Sequence, residues 1–211
     1  MLENLPEAIG HALHNQRAGI DSIVFNRTDL RAGMAAINVS SLAFKDHGPI
    51  PEQYTADGEG TSPPIQWMNI PVNTAALVLI VEDADSPTPH PFIHAIAVDL
   101  ITTDGSLQEG ALVDKENTSV KLGRNSFLKK GWLPPDPPPG HGVHRYAFQV
   151  FALNIKIDFS DTPGREEVFD VIESHAIASG CLIGTYERPD ASIKIDNTEV
   201  VPMPEENINV A

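Results

Sequence analysis

Gly140-His141-Gly142-Val143-His144-Arg145-Tyr146 runs without a break into Ala147-Phe148-Gln149-Val150-Phe151-Ala152-Leu153. The second half reads as a buried strand, and the first half as its polar, glycine-spaced entrance. The same arrangement recurs upstream. Val78-Leu79-Ile80-Val81 leads into Asp83-Ala84-Asp85-Ser86-Pro87, and Ala95-Ile96-Ala97-Val98 follows His94. Loops between apolar strands therefore carry acid, imidazole and phenol groups, which is how a small-ligand pocket is built.

Outward from these strands, Ile65 to Leu153 is a succession of short apolar runs separated by Pro, Gly, Asn and Asp. That pattern predicts a mainly β architecture rather than alternating βαβ units. The 18 prolines fit a loop-rich sandwich. Lys115 to Pro139 is a long connection holding Pro134-Pro135-Asp136-Pro137-Pro138-Pro139, which cannot be a central strand because proline fixes φ and donates nothing to a ladder. It is expected to form a stiff wall beside the site.

Toward the N-terminus, Leu2, Leu5, Ile9, Ala12 and Leu13 recur at three and four, so Glu3 to about Gln16 is predicted as an amphipathic helix. Leu5 and Ile9 are expected to bury at a subunit contact or against the sandwich. Ile20 to Gly33 shows no sustained period and reads as a linker. Val39 to Phe44 is a weak first strand, and Gly48-Pro49-Ile50-Pro51 and Asp57-Gly58-Glu59-Gly60 are turn chemistry. Downstream, Ser160-Asp161-Thr162-Pro163 predicts a helix start with Thr162 as N-cap, and Val168, Phe169, Ile172, Ala176, Ile177 and Gly180 trace its apolar face. Ala191 to Ile195 alternates like an edge strand. The division expected is residues 1–36 as helix and linker, 37–201 as the main domain and 202–211 as an acidic tail.

With 211 residues the chain is about one domain long on a prior of roughly 100–200 residues per domain. The formal charge of −15, from 14 Lys and Arg against 29 Asp and Glu, opposes nucleic-acid or anionic-membrane partners. No apolar run approaches the roughly 18 residues that would span a bilayer, and the first twenty residues lack the pattern of a secretory signal. A cytoplasmic protein is expected. The lone Cys181 cannot form an internal disulfide and reads as a small buried hydrophobe.

Successive side chains of a strand face opposite ways, so Asp83 and Asp85 are predicted to share one face, as are His144 and Tyr146, with Arg145 turned away. His94 from the neighbouring run would complete a pocket. Gly140 and Gly142 would let backbone N–H groups approach a ligand, as in anion-binding nests. Two plainer readings and one sharper alternative compete. Asp85-Ser86-Pro87 alone is good turn chemistry, His144 and Tyr146 could be satisfied core groups, and His90, His94, His141, His144 and the two acids could hold a metal. A nucleophile elbow and phosphate-cradling glycine loops are absent. No cofactor is expected.

Four motifs, in order, carry a resemblance: Tyr54-Thr55-Ala56-Asp57-Gly58-Glu59-Gly60-Thr61-Ser62-Pro63-Pro64-Ile65-Gln66-Trp67; Glu82-Asp83-Ala84-Asp85-Ser86-Pro87; Pro137-Pro138-Pro139-Gly140-His141-Gly142-Val143-His144-Arg145-Tyr146; and Ile183-Gly184-Thr185-Tyr186-Glu187-Arg188. From about Val39 to Arg188 the chain resembles the phosphatidylethanolamine-binding protein family, in its bacterial and archaeal Raf kinase inhibitor-like branch. The resemblance implies an α+β, mainly β fold, an antiparallel β-sandwich with a C-terminal helix, to which this chain adds its N-terminal amphipathic helix. It implies a non-enzymatic protein that binds a small phosphate-like anion or phospholipid headgroup. A kinase or protease target and a homodimer are further implications. The implied ligand-binding set is Asp83, Asp85, Pro87, His94, Asp136, Pro138, Gly142, His144 and Tyr146, with no metal. Two alternatives stand beside it: a protein-interaction module with a vestigial pocket, and a metal-dependent hydrolase using the same histidines. The chain departs from the family pattern at Ala84, at Phe92-Ile93 and Ala95 around His94, and at Asp136, whose carboxylate would repel a phosphate if it faced the pocket.

Overall fold

In a computed structural model of the chain, residues 7–27, 34–114 and 120–188 are described. Two strands already evident in the sequence form the centre: β5 (Ala76–Asp83) and β9 (His144–Leu153), paired antiparallel with Asp83 opposite Tyr146. β6 (Phe92–Val98) flanks β5, and β8 (Lys121–Leu122) follows it. On the other side β10 (Ala176–Tyr186) pairs with β9, and the short β1 (Ala35–Ala36) and β3 (Gly48–Pro49) join β10 in parallel. This seven-stranded, mostly antiparallel sheet faces a three-stranded one, β2 (Asn38–Ser40), β4 (Ile65–Met68) and β7 (Gly105–Leu107).

All eight residues of β5 are buried, because both faces of the large sheet are covered. On one face Leu77, Leu79, Val81, Phe148 and Val150 pack with Val39, Ile65 and Trp67 of the small sheet, forming the sandwich core. On the other, Val78, Ile80, Ile96 and Phe151 pack under Val168 and Ile172 of the C-terminal helix α3 (Arg165–His175). The α+β sandwich expected from the sequence is the fold observed.

Several local expectations differ. α1 (Glu7–Leu13) is shorter than the apolar period suggested, and Ile9 stays 40% exposed; the helix meets the domain through buried Gly10 instead. Leu2 and Leu5 lie outside the described residues. The stretch read as a linker forms a 3₁₀ turn at Ile20–Ser22 and α2 (Val24–Arg27), with Ile23 and Val24 fully buried. Buried Glu82 holds it, accepting hydrogen bonds from Val24 N at 2.7 Å, Gln149 Nε2 at 3.0 Å and Arg165 Nε at 2.9 Å. α3 starts two residues later than Pro163, with Gly164 at the N-cap; Glu167 instead accepts from the N–H and hydroxyl of Ser160. The helical period beyond His175 is overridden by the β9 ladder, which takes Ala176 to Tyr186 as a strand. Gly180 is needed there because a Cβ would overlap the Ile37 carbonyl. Cys181 is half-buried beside Ile23 and Ala84 rather than fully enclosed. The Ala191 to Ile195 strand and the acidic tail lie outside the described residues.

Candidate functional site

The polar stretches meet where β5 ends and β9 begins. Asp83 continues the Leu77, Leu79, Val81 face, and His144 and Tyr146 continue the Phe148, Val150 face, so all three point to the sandwich side. His94 reaches that side by a different device. Val81 pairs with Ala95 but Glu82 pairs with Ile93, so His94 is the extra residue of a β-bulge. Strict alternation would have placed it with Ile96 on the helix-covered face; the bulge re-aims it at Tyr146, ring centroids 5.1 Å apart and edge to face.

A cavity of about 260 Å³ opens there, walled by Asp83, His94 and His144 with Pro87, Phe92, Phe127 and the run Leu133, Pro134, Asp136, Pro137 and Pro138. The proline run is clamped in place. Ala56 N donates to Pro135 O at 2.9 Å, and Arg188 donates to Pro137 O at 2.9 Å. Arg188 also grips Asp57 through both carboxylate oxygens and pairs with Asp136 at 2.8 Å. Burial alone would ease the guanidinium toward neutrality, but Asp57 and Asp136 outweigh it and hold the Arg188 pKa above its ordinary value. Of the four motifs, the first and last thus fix the wall, and the middle two supply Asp83, His144 and Tyr146, while His94 and Asp136 stand outside all four.

His94 Nδ1 lies 2.6 Å from Leu133 O, an acceptor, so Nδ1 carries the proton. Burial holds the ring below the ordinary histidine range despite the nearby Asp83 carboxylate. The neutral ring therefore presents Nε2 as a bare acceptor, and that atom has no partner among the described residues. Neither do the Tyr146 hydroxyl and the Trp132 indole N–H, both buried. Burial, with Asp83 and Asp136 adding to it, pushes the Tyr146 phenol well up, so it stays protonated. Trp132 lies 6.2 Å from His94 between centroids and stacks on Phe148, supplying indole surface that the residues flanking His94 in sequence lack.

His144 is engaged at both ring nitrogens: Nδ1 with Asp83 Oδ2 at 2.7 Å and Nε2 with His141 Nδ1 at 2.6 Å. His141 Nε2 in turn lies 2.8 Å from the carbonyl of Leu13. The rings are spent on this chain of contacts, and among the described residues no group of three or more His, Cys, Asp or Glu is arranged around a common metal position.

Asp83, Pro87, His94, Asp136, Pro138 and His144 of the expected set line one cavity, with Tyr146 packed directly against His94. Asp85 and Gly142 do not. β5 ends at Asp83, so period-two alternation no longer applies, and Asp85 turns to the far side to bind the Arg145 guanidinium at 2.7 Å and Arg17 at 3.1 Å. Burial opposes ionisation of Asp85, but the hydrogen bonds from Arg145 and Arg17 prevail and hold its carboxyl below the ordinary range. Gly142, with φ +90°, lies on the outer side beneath His14 and Arg17, and Gly140 lies beneath His11. Sequence reasoning missed Arg188 as the wall's clamp, although its partner Asp57 stood in the first motif. It also missed Phe92, Phe127 and Leu133 as lining residues.

Residues 40–187 match the sequence profile of the phosphatidylethanolamine-binding protein family. A UPF0098 protein of Aquifex aeolicus is 35% identical over 170 residues, covering 80% of this chain and 99% of that one. Among solved structures, a phosphatidylethanolamine-binding protein homologue from Chlamydia trachomatis superposes with TM-score 0.66 at 33% identity, covering 72% of this chain and 98% of that one. YbcL of Escherichia coli, described as a new member of the mammalian family, gives TM-score 0.68 at 26% identity, covering 73% of this chain and 99% of that one.

Proposed function

The chain belongs to the phosphatidylethanolamine-binding protein family, and from that premise we propose that it is a non-enzymatic binding protein for a small ligand with a phosphate-type head group, seated between Asp83, His94 and His144. The observation that carries this reading is a pair of buried polar atoms without a partner among the described residues, His94 Nε2 and the Tyr146 hydroxyl, on adjoining rings, His94 in the cavity wall and Tyr146 packed directly behind it. A buried polar atom left without a partner costs about 1–3 kcal/mol, and such atoms are rare enough to call for an explanation. A ligand that offers one donor and one acceptor provides it.

A phosphate monoanion has both. Its P–O–H donates to His94 Nε2, and a neighbouring anionic oxygen accepts from Tyr146. The apolar remainder of the wall, Pro87, Phe92, Phe127 and the prolines, would take whatever alkyl portion the head group carries. His144 contributes by holding Asp83 rather than by donating to the ligand, since both its nitrogens are engaged.

The proton gives the test its sign. Burial keeps His94 neutral, so a dianionic phosphate must gain the one proton that it then shares with His94 Nε2, and binding a dianion takes up one proton. Affinity for phosphate and phosphoethanolamine is expected to rise as pH falls, by up to about tenfold per unit, and to level off once the free phosphate group already carries that proton. Calorimetric titration in two buffers of different ionisation heat reads the proton directly. Folded protein that gives no heat with either compound across the range overturns the proposal, and so does binding that releases a proton.

A further inference from the structure

The N-terminal segment lies outside residues 40–187, the part matched to the family, yet it is fastened to both polar loops of the cavity. Ala18 N donates to Ser86 O at 3.0 Å and Gly19 N to Ala84 O at 2.7 Å. Arg17 donates to Val143 O at 2.7 Å and to His141 O at 2.8 Å, and pairs with Asp85. α1 presses on the Pro139 carbonyl so closely that a Cβ on Gly10 would overlap the oxygen. From this strap the Leu13 carbonyl reaches His141, and from there an unbroken line of contacts runs through His144 to Asp83 at the cavity wall.

That line can be read proton by proton. A carbonyl oxygen only accepts, so His141 Nε2 carries a hydrogen. Burial, the neighbouring His144 and the Arg17 guanidinium all disfavour a charge on His141, outweighing its contacts with the strap carbonyls, so its Nδ1 is bare. At 2.6 Å that bare nitrogen must accept from His144 Nε2. On the other side the Asp83 carboxylate accepts from His144 Nδ1 at 2.7 Å, and a proton between carboxylate and imidazole rests on the imidazole, the stronger base by roughly two to three units in ordinary peptides. His144 is left with a hydrogen on each ring nitrogen.

We propose that the strap is a positioning element of the binding site: the Leu13 carbonyl fixes the tautomer of His141, and this makes His144 a full imidazolium that neutralises Asp83 at the cavity wall. On the ligand reading given above, the consequence is that an incoming anion meets a neutral pair instead of a lone carboxylate. The other charged or titratable groups packed around the two rings do not supply this proton. His14 lies 6.3 Å from His141 between centroids, His11 covers Gly140, Arg145 is committed to Asp85, and Asp136 is paired with Arg188. Without the strap, His141 is released to become an Nδ1–H donor, and His144 can then be neutral.

The test uses full-length protein with ¹⁵N-labelled histidine, observed by ring nitrogen NMR at about one unit above the ordinary histidine value. Wild type is expected to show His144 protonated at both nitrogens, His141 as the Nε2–H tautomer and His94 neutral. Gly10→Val, which undocks α1, and Arg17→Gln, which cuts the second fastening, are each expected to remove the hydrogen from one ring nitrogen of His144 and to leave the His94 signals unchanged. Amide exchange in α1 reports docking independently. A neutral His144 in wild type overturns the proposal. So does an unchanged imidazolium in variants whose α1 is undocked, and so does an α1 that stays docked in both variants. Phosphate titration of the same samples keeps the two readings apart. No binding in wild type removes the ligand reading and leaves the ring assignments standing, whereas unchanged affinity in variants with neutral His144 refutes the stated consequence for anions.

Discussion

Tyr146→Phe separates a binding residue from a packing residue. Tyr146 is fully buried on β9, its ring against His94 and 6.3 Å from that of His144 between centroids, and its hydroxyl meets no partner among the described residues. Removing that one oxygen leaves every apolar contact of the ring in place and deletes an unsatisfied buried group, whose cost is about 1–3 kcal/mol. The variant is therefore expected to be more stable than wild type by about 1 kcal/mol, read as a higher urea midpoint at unchanged slope. The same deletion removes the donor offered to the ligand. Phosphate affinity is expected to fall roughly fivefold or more, the value of about one neutral hydrogen bond. Stability and affinity should move in opposite directions, which a satisfied core tyrosine would not produce. A variant that is less stable and binds phosphate as well as wild type refutes the reasoning, because it would show the hydroxyl working for the fold.

Two further substitutions probe the frame around the cavity. Glu82→Ala strips the carboxylate partner from Arg165, 14% exposed, and removes an acceptor shared by the N–H of Val24 and the amide of Gln149, so a loss of about 3–5 kcal/mol is expected in denaturant unfolding; a loss under about 1 kcal/mol would mean that Ile20 to Arg27 is not held by this carboxylate. Asp136→Asn keeps Arg188 gripped by Asp57 while removing one negative charge from the wall, so phosphate is expected to bind about three- to tenfold tighter by calorimetry, and weaker binding would show the Asp136 charge serving the ligand.

Which parts could be read from the sequence follows from what period-two patterning encodes. β5 and β9 were legible because their apolar runs are continuous, and the meeting of Asp83 with His144 and Tyr146 follows once the two strands pair. The orientation of His94 was not. Whether an odd residue sits in a bulge depends on the register between β5 and β6, which no local pattern in Phe92 to Val98 records. Asp85 failed for the opposite reason, since alternation was extended past the last residue of the strand. At Ala176 the helical period continued through a boundary that the β9 ladder imposes. Ile20 to Arg27 looked like a linker because only Ile23 and Val24 are fully buried, too short a run to show any period.

The carboxylates around the cavity define the ligand as much as the histidines do. A conventional anion site offers unpaired cations, but here the guanidinium that contacts the wall, Arg188, is shared between Asp57 and Asp136 and leaves that trio one negative charge in excess. Asp83 is balanced by His144 alone. A dianion entering such a wall is opposed by Asp136, and among the described residues no Lys or Arg lines the cavity to offset it. A ligand that carries its own proton, or its own ammonium group, escapes that penalty while still filling the acceptor at His94 and the donor at Tyr146. The departure at Asp136 thus narrows the ligand class without closing the pocket: phosphoethanolamine should bind more tightly than inorganic phosphate, and the margin should shrink in Asp136→Asn.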